Sequence, residues 1–346
     1  MKTNNNIPAY RFQGYTDAWE LRKLGEVVYR SNLTSSSNDL PRLEFEDINS
    51  GLGTLNKDIS QKVDDRKGLE FNEGDVLFGK LRPYLKNWWY AEFKGIALGD
   101  FWNLKSDLWH SCFLYTYIQS NSFQLVANDT SGTKMPRSDW NLVAESIAKF
   151  PSHPEQEAIG TFFSTLDRHI TLHQRKLDTL KEQKKTYLKL LFPAKGQTKP
   201  ALRFQGFEDD WEEVKLGEVL IKNSKRNKDL RIINVESVSN RLGFVKQTEQ
   251  FEDYSVASSD LSNYYVISEK QFAYNPSRIN VGSIAYKKLG EESSVVSPLY
   301  VSFSTSENVE DYYLWYWFKT ELFHSQRIVF SEGGVRDTLS YNQLSE

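Results

Sequence analysis

The sequence predicts an α/β protein of the mixed α+β kind, with two similar domains separated by one long helix that forms a coiled coil. Two observations lead to this prediction. The string PAYRFQGYTDAWELRKLGEV at residues 8–27 returns as PALRFQGFEDDWEEVKLGEV at residues 200–219, identical at fourteen of twenty positions and offset by 192 residues. That period is far longer than the roughly 20 to 50 residues of solenoid repeats, so each copy is predicted to be a domain. The second observation is a long run of helix formers between the copies.

The composition is that of a folded protein of about two domains. The chain has 346 residues, of which 39% are hydrophobic and 14% aromatic, enough to fill two cores. Its single cysteine, Cys112, cannot form an internal disulfide, and the sequence has neither a signal peptide nor a run of roughly 20 apolar residues. We therefore expect a soluble, cytoplasmic protein. The formal net charge of -3 gives no overall basic signal for nucleic-acid binding by the chain alone.

Residues 153–192 are predicted to form the long helix, because they hold one glycine, proline only near the start, and many helix formers. About 40 residues at 1.5 Å each make a rod of roughly 60 Å, too long for one domain to cover. Alternating steps of four and three give an apolar seam with two polar positions, which predicts a partner helix. The seam consists of Ile159, Phe163, Leu166, Ile170, His173, Leu177, Leu180, Lys184, Tyr187 and Leu191.

Outside this helix, short runs rich in Val, Ile, Tyr and Phe are broken by Gly, Asn, Asp and Ser, which is typical of strands. Strands are predicted at 74–78, 95–98, 271–274, 282–286 and 298–303, and helical segments at 109–127 and 309–330. The predicted organisation is an N-terminal segment at 1–18, a domain at 19–150, the long helix region at 151–195 and a second domain at 196–346. The second domain ends before the distal helix that is expected to follow it.

Fainter correspondences extend the repeat beyond its opening string. NEGDVLFGKLRPYL from residue 72 can be set against SEKQFAYNPSRINV from residue 268, which aligns Arg82 with Arg278. SGTKMPRSDWNL from residue 131 matches GGVRDTLSYNQL from residue 333, which aligns Lys134 with Arg336. The copies share their edges and differ in their middles. This is expected if one scaffold binds a common protein partner while the two interiors read different targets.

These residues resemble a known family. W-x-x-x-K/R-L-G-E-V, the strand that ends in R-P or in NPSRI, the glycine turn that leads to a serine, and FPSHPEQEAIG before a long helix are similar to the specificity (S) subunit of Type I restriction-modification systems. The resemblance extends from about residue 19 to residue 343. The order of the motifs, repeated on both sides of a long helix, carries it more than any single motif.

The resemblance implies a function for each part. In that family each globular unit is a target recognition domain that reads one half of a bipartite DNA site, and the helices set the distance between the halves. Methyltransferase (M) subunits dock on the helices and restriction (R) subunits join them, so S-adenosylmethionine, ATP and Mg are expected in the partners and no cofactor in this chain. The subunit itself is expected to be non-catalytic. The helices pack antiparallel in that family. Two alternatives are therefore expected here: the seam of residues 159–191 pairs with a helix from another S chain, or the chain is a truncated product.

Candidate DNA contacts lie in the turns of both domains. Arginine can donate two hydrogen bonds to a guanine edge, asparagine can pair with adenine, and lysine can reach phosphate. The residues are Lys80, Arg82, Tyr84, Lys134 and Arg137 in the first copy, and Arg278, Asn280 and Arg336 in the second. The alternative is that they only orient surface loops and connecting turns. The positive charge of residues 168–195 also has two interpretations. It can mark a solvated helix face, or it can lie near phosphate or an acidic partner.

Several other signals do not support an enzyme. NPS at residues 275–277 resembles part of the catalytic loop of adenine methyltransferases, but the second proline, the aromatic residue and a glycine-rich cofactor loop are missing. His169 and His173 lie one helical turn apart without an evident third ligand, so packing or a polar position on the seam is favoured over a metal site. Cys112, in an aromatic helix, is expected in the core. The alternative function is a non-enzymatic, two-domain coiled-coil adaptor that binds proteins rather than DNA.

Overall fold

The structure is a computed structural model that describes residues 6–130, 135–247, 260–331 and 338–346. The chain divides into two compact units, Met1–Lys176 and Leu177–Glu346. Both units contain sheets and helices, so the predicted mixed α/β class is confirmed, and so is the long helix, which spans His153–Leu190. The boundary between the units lies inside this helix. The domain limits predicted from the sequence stay a prediction.

The first unit begins with strands and ends with helices. Its strands are β1 (Glu20–Lys23), β2 (Tyr29–Ser31), β3 (Thr34–Ser35), β4 (Arg42–Leu43), β5 (Ile48–Asn49), β6 (Thr54–Leu55), β7 (Gly68–Phe71), β8 (Val76–Gly79), β9 (Trp88–Tyr90), β10 (Gly95–Ala97), β11 (Phe101–Lys105) and β12 (Ile147–Phe150). Its helices are α1 (Leu24–Val27), α2 (Ser111–Gln119), α3 (Asn121–Ala127), α4 (Trp140–Glu145) and α5 (His153–Leu190).

The second unit has fewer described strands. They are β13 (Leu220–Lys222), β14 (Glu236–Ser239), β15 (Gly243–Lys246), β16 (Tyr265–Ile267), β17 (Gln271–Tyr274), β18 (Ile284–Tyr286), β19 (Ser294–Val296) and β20 (Val301–Thr305). Its helices, after the end of α5, are α6 (Leu216–Val219), α7 (Asp311–Trp317), α8 (Glu321–Ser331) and α9 (Tyr341–Ser345).

Each unit has its own central sheet, and the two sheets have the same strand arrangement and the same kind of aromatic core. The first unit has an antiparallel sheet in the order β2-β11-β8-β9, and the second has the same arrangement in the order β13-β20-β17-β18. Aromatic rings stack across the middle strands in both, Phe78 on Trp102 at 5.6 Å and Phe272 on Phe303 at 5.1 Å. Such cross-strand pairs stabilise a sheet. The repeat that the sequence predicted is therefore confirmed in three dimensions.

The register of the repeat changes along the chain. The short helix LGEV is α1 in the first unit and α6 in the second, at the predicted offset of 192. The corresponding helices α4 and α9 are capped by Asp139 and Ser340, an offset of 201. The sequence alignment of residues 131–142 with 333–344 used 202, and it is wrong by one residue at this helix. Residue identity pairs Leu142 with Leu344. In the structure Leu344 is buried like Val143, whereas Leu142 is exposed.

Two predicted helical segments are broken in the middle. Residues 109–127 form α2 and α3, since the Ser120 hydroxyl accepts a hydrogen bond from the backbone of Phe123 and caps a new helix. Residues 309–330 likewise form α7 and α8, and the Thr320 hydroxyl accepts from the backbone of Phe323. The predicted strand at 298–303 begins later, as β20. In each unit, two short helices therefore pack on the central sheet where one was expected.

The start of α5 is tied to the N-terminal segment by a buried ion pair. Glu155, 1% exposed, accepts hydrogen bonds from Nε and Nη2 of Arg11 at 2.8 and 2.5 Å. The Trp19 indole also donates to Glu155, at 3.4 Å, and Arg11 donates to the Asp17 carbonyl at 2.7 Å. Hydrogen bonding to Glu155 raises the pKa of Arg11 above its usual value. The motif PEQE thus anchors residues 8–19 to the long helix.

The second copy repeats one half of this arrangement. Arg203 donates to the Asp209 carbonyl at 2.6 Å, as Arg11 does to Asp17. In the part of the chain that the structure describes, no carboxylate lies within 4 Å of Arg203. The two arginines therefore form a matched pair, one with a buried carboxylate and one without.

We expect Arg11→Ala to lower the melting temperature by roughly 5–10 °C, because it leaves the buried Glu155 charge unpaired. Arg203→Ala should change it by about 2 °C or less, since only a bond to a backbone carbonyl is lost. Thermal unfolding followed by circular dichroism measures both. Equal shifts for the two variants would show that the ion pair does not stabilise the first unit.

A short 3-10 helix follows the third strand of each central sheet. It spans Pro83–Leu85 in the first unit and Ile279–Val281 in the second, and Arg82 and Arg278 precede these helices. The predicted correspondence of the two arginines is therefore confirmed. Their backbones differ, because Arg82 is left-handed at φ 50°, whereas Arg278 has φ -130°. The first unit thus holds a non-glycine residue in a conformation that favours glycine.

This difference predicts opposite preferences at equivalent positions. Both Arg82→Ala and Arg82→Gly remove the guanidinium, but the glycine variant should be more stable by about 1 kcal/mol, because it relieves the left-handed strain. At Arg278 the alanine variant should be the more stable one, by about 0.4–1 kcal/mol, because glycine adds freedom to the unfolded chain. Urea denaturation of the four variants measures the two differences. The same sign at both positions would contradict the backbone argument.

Candidate nucleic-acid interface

The turn that follows β8 carries three candidate residues of the first unit. Arg82 and Tyr84 are exposed, and Lys80 is partly exposed. The turn is held against residues 135–138, since the backbone of Arg82 donates to the Pro136 carbonyl at 2.7 Å and the backbone of Ser138 donates to the Lys80 carbonyl at 2.9 Å. The segment that leads into α4 therefore positions the turn.

The structure brings Lys80 and Arg137 together at one carboxylate. The Nε of Arg137 lies 2.9 Å from Asp100, and the Nζ of Lys80 lies 3.5 Å from its other oxygen. Two cations share one acid, so the local charge is positive. They border an open cleft of about 400 Å³ that is also lined by Arg30, Trp102 and Trp140. Such a surface can accept a phosphate or the edge of a base.

Arg30 was not identified from the sequence as a site residue. Its guanidinium lies 4.9 Å from the centre of the Trp140 ring and 5.7 Å from that of Trp102. The second unit repeats the contact, with Lys222 5.2 Å from the ring of Tyr341. The signal in the sequence was the offset of 192 between Arg30 and Lys222, which lie just beyond the matched strings. A cation packed on the first residue of α4 or of α9 is thus common to both units.

The turn of the second unit places Arg278 and Asn280 on the surface, both exposed. The backbone of Leu339 donates to the Pro276 carbonyl at 3.1 Å, which ties this turn to the segment before α9. The buried Tyr274 hydroxyl donates to the Leu339 carbonyl at 3.0 Å. Burial raises the pKa of Tyr274 above its usual range, so the hydroxyl keeps the proton that it donates. The turn is fixed as in the first unit, although the side chains differ.

Two candidate residues lie outside the described residues. Lys134 falls in 131–134 and Arg336 in 332–337, and the glycines of their predicted turns fall there too. Their roles stay predictions.

Most of the predicted seam of α5 is exposed. Ile159 packs against the core of the first unit, and Leu191 comes one residue after the helix ends. The other apolar members are between 39% and 59% exposed: Phe163, Leu166, Ile170, Leu177, Leu180 and Tyr187. Phe162 and Leu172, which lie off the predicted seam, are also exposed. The apolar surface of the helix is therefore broader than a heptad seam, and its pairing with another helix stays a prediction.

The histidines and the cysteine that were considered for metal binding or packing are exposed or partly buried. Among the described residues no cluster of His, Cys, Asp and Glu could hold a metal ion, and His169 and His173 are exposed. Cys112 is partly buried rather than in the core, with its Sγ 3.6 Å from the Tyr90 hydroxyl. A Cβ at Gly160 would lie 2.7 Å from the Cβ of Cys112, so α5 packs closely on α2 at this point. Within the described ranges, no helix is both long and apolar enough to span a membrane.

Comparison with known proteins gives one relative in sequence. The specificity subunit of the Type I restriction enzyme EcoDI from Escherichia coli is 30% identical over 91 residues, which are 26% of this chain and 20% of that protein. The match thus spans a fifth of the relative's length. No protein-family model matches the chain.

Solved structures give similarity over nearly the whole chain. The Type I S subunit from M. genitalium has a TM-score of 0.56 at 12% identity and covers all of this chain and 85% of its own. The HsdS subunit from Thermoanaerobacter tengcongensis (TM-score 0.40, 18% identity, 95% and 83% covered) and a chain of a type I R-M system (0.46, 17%, 95% and 84%) are less similar in structure. The resemblance to Type I specificity subunits that the motifs indicated is therefore confirmed, in sequence over 91 residues and in fold over the chain.

Proposed function

We propose that the chain is the DNA-recognition subunit of a Type I restriction-modification complex, and that each unit reads one half of a bipartite target. The observation that carries the proposal is the duplicated turn. In both units an exposed arginine precedes a 3-10 helix, and backbone hydrogen bonds tie the turn to the segment before α4 or α9, whose first residue packs against a cation. A fixed turn backbone suits readout of base edges, because it places the arginine where its guanidinium can donate two bonds.

The chemistry of the complex belongs to its other subunits in this proposal. The chain acts without catalysis in the cytoplasm, and methyltransferase and restriction subunits use S-adenosylmethionine, ATP and Mg. The exposed apolar surface of α5 is the place for a helix of a methyltransferase subunit or of another S chain. Partner subunits also supply phosphate contacts, which suits a chain with a net charge of -3.

Matched substitutions in the two turns test the division of labour. We expect Arg82→Ala to relax the bases of one half-site and Arg278→Ala those of the other, each at a cost of about 1–3 kcal/mol in binding. Sequencing of methylated sites made by the assembled complex identifies the relaxed positions. Loss of specificity in the same half by both variants would contradict the proposal. A complex that binds no duplex would favour the protein-binding adaptor.

The long helix predicts the spacing between the half-sites. It has 38 residues, or about 57 Å. Seven residues inserted between 177 and 187 should add roughly 10 Å and rotate the following part by only about 20°. We expect both half-sequences to be kept and the gap to lengthen by roughly three base pairs, as read from methylated sites. Conservative changes of exposed polar residues in α5, without insertion, serve as the control. An unchanged gap in the insertion variant would show that the helix does not set it.

A further inference from the structure

The segment 222–231 of the second unit is strongly basic. Its sequence, KNSKRNKDLR, begins at the last residue of β13, continues in the connection to β14 and contains a single acid, Asp229. The 192-residue offset matches it to residues 30–39 of the first unit, RSNLTSSSND, which contain one cation, Arg30. We call residues 222–228, with the cations Lys222, Lys225, Arg226 and Lys228, the basic ridge.

Residues 225–227 of the basic ridge lie beside β16. The backbone of Val266 donates to the Lys225 carbonyl at 2.9 Å, and the backbone of Asn227 donates to the Tyr264 carbonyl at 3.1 Å. The Asn223 amide donates to the Val266 carbonyl at 2.8 Å, and the buried Asn227 amide donates to the Ile232 carbonyl at 2.8 Å. The asparagines thus anchor the ridge from inside, and the three lysines remain exposed.

Arg226 is oriented in advance of any binding. Its guanidinium stacks on the Tyr265 ring at 3.7 Å, and it donates to the Tyr265 hydroxyl at 2.9 Å and to the Asn263 carbonyl. A guanidinium has five donors, so these two bonds leave others for an anion. Because the side chain is already ordered, little conformational entropy would be lost when it binds.

The cations of the ridge are not neutralised as those of the first unit are. In the first unit, carboxylates pair with Lys62, Arg66, Lys94, Lys105 and Arg137, among others. Across the described ranges of the second unit, no carboxylate lies within 4 Å of a ridge cation. Partial compensation comes from Asp260, since Lys228 is among the groups that lower its pKa, after the hydrogen bonds from Ser262. Among the described residues, the positive charge of the ridge is therefore only partly compensated.

The ridge continues from the candidate interface of the same unit. Lys222 lies over Tyr341, the first residue of α9, two residues after Leu339. Leu339 is the residue whose backbone is bonded to the turn that carries Arg278. Six residue steps separate Lys222 from Lys228, and Lys228 lies in a turn, so the ridge spans at most about 20 Å, the length of several phosphates along one strand.

We propose that the basic ridge binds the phosphate backbone of DNA next to the half-site that the second unit reads. The second unit then supplies more of the sequence-independent affinity than the first, although both have the same fold. This inference rests on the proposed function and adds to it an unequal division of phosphate contacts between the units.

The test uses the full chain assembled with methyltransferase subunits, and compares wild type with the double variant Lys225→Gln, Lys228→Gln. Each phosphate contact contributes about 0.9 to the slope of log affinity against log salt, so the slope should become shallower by roughly 1.8. The loss should be equal for a duplex with the target and one without it, because phosphate contacts carry no sequence information. Equilibrium binding at several salt concentrations gives the slopes.

The matched control is Lys23→Gln, Lys94→Gln in the first unit. Both lysines are exposed and paired with carboxylates, Glu145 and Glu70, and the variant makes the same change in net charge. We expect its slope to equal that of wild type. An unchanged slope in the ridge variant, or an equal change in both variants, would overturn the inference. A wild-type complex that binds no duplex would instead contradict the proposed function, and the inference with it.

Discussion

The arrangement of each unit depends on a close contact between two short helices, α1 with α4 in the first unit and α6 with α9 in the second. A Cβ at Gly25 would lie 2.8 Å from that of Ala144, and a Cβ at Gly217 would lie 3.1 Å from that of Ser345. A side chain at Gly25 would clash with Ala144, and one at Gly217 would crowd Ser345, so α1 lies close to α4 and α6 lies close to α9. Each of α4 and α9 directly follows the segment that is bonded to the 3-10 turn. The contact therefore helps to position the turn that carries the arginine.

One scaffold carries two different electrostatic surfaces. In the first unit Lys80 and Arg137 converge on Asp100, and the nearby Arg30 packs on tryptophan. In the second, the basic ridge continues from the region of the turn that carries Arg278. The aromatic core is the same in both, and α4 corresponds to α9. The residues that pack the core are not those that carry the surface charge. The side chains that face a ligand can therefore differ between the units while the fold stays the same.

Predictions from the sequence agree with the structure where they depend on local patterns, and they differ from it where they depend on the exact alignment of the two copies. The repeat, the long helix and the pairing of Arg82 with Arg278 follow from strings of identical or similar residues. The change of the repeat offset from 202 to 201 residues at α4 and α9 does not follow from such strings. The capping residues Asp139 and Ser340 differ, so residue identity cannot align them. The breaks at Ser120 and Thr320 were missed for a related reason. Both residues are tolerated inside helices, and only their hydroxyl bonds show that they begin new ones.

The sequence by itself determined that there are two similar domains, that a helix of about 40 residues separates them, and which turns carry arginine. Only the tertiary structure decided which charges meet. Glu155 pairs with Arg11 across 144 residues, and Arg137 pairs with Asp100 across 37. Periodicity and motif spacing report on neighbours along one element. A bond between distant elements depends on how the sheet and helices bring them within about 3 Å, which no local pattern encodes.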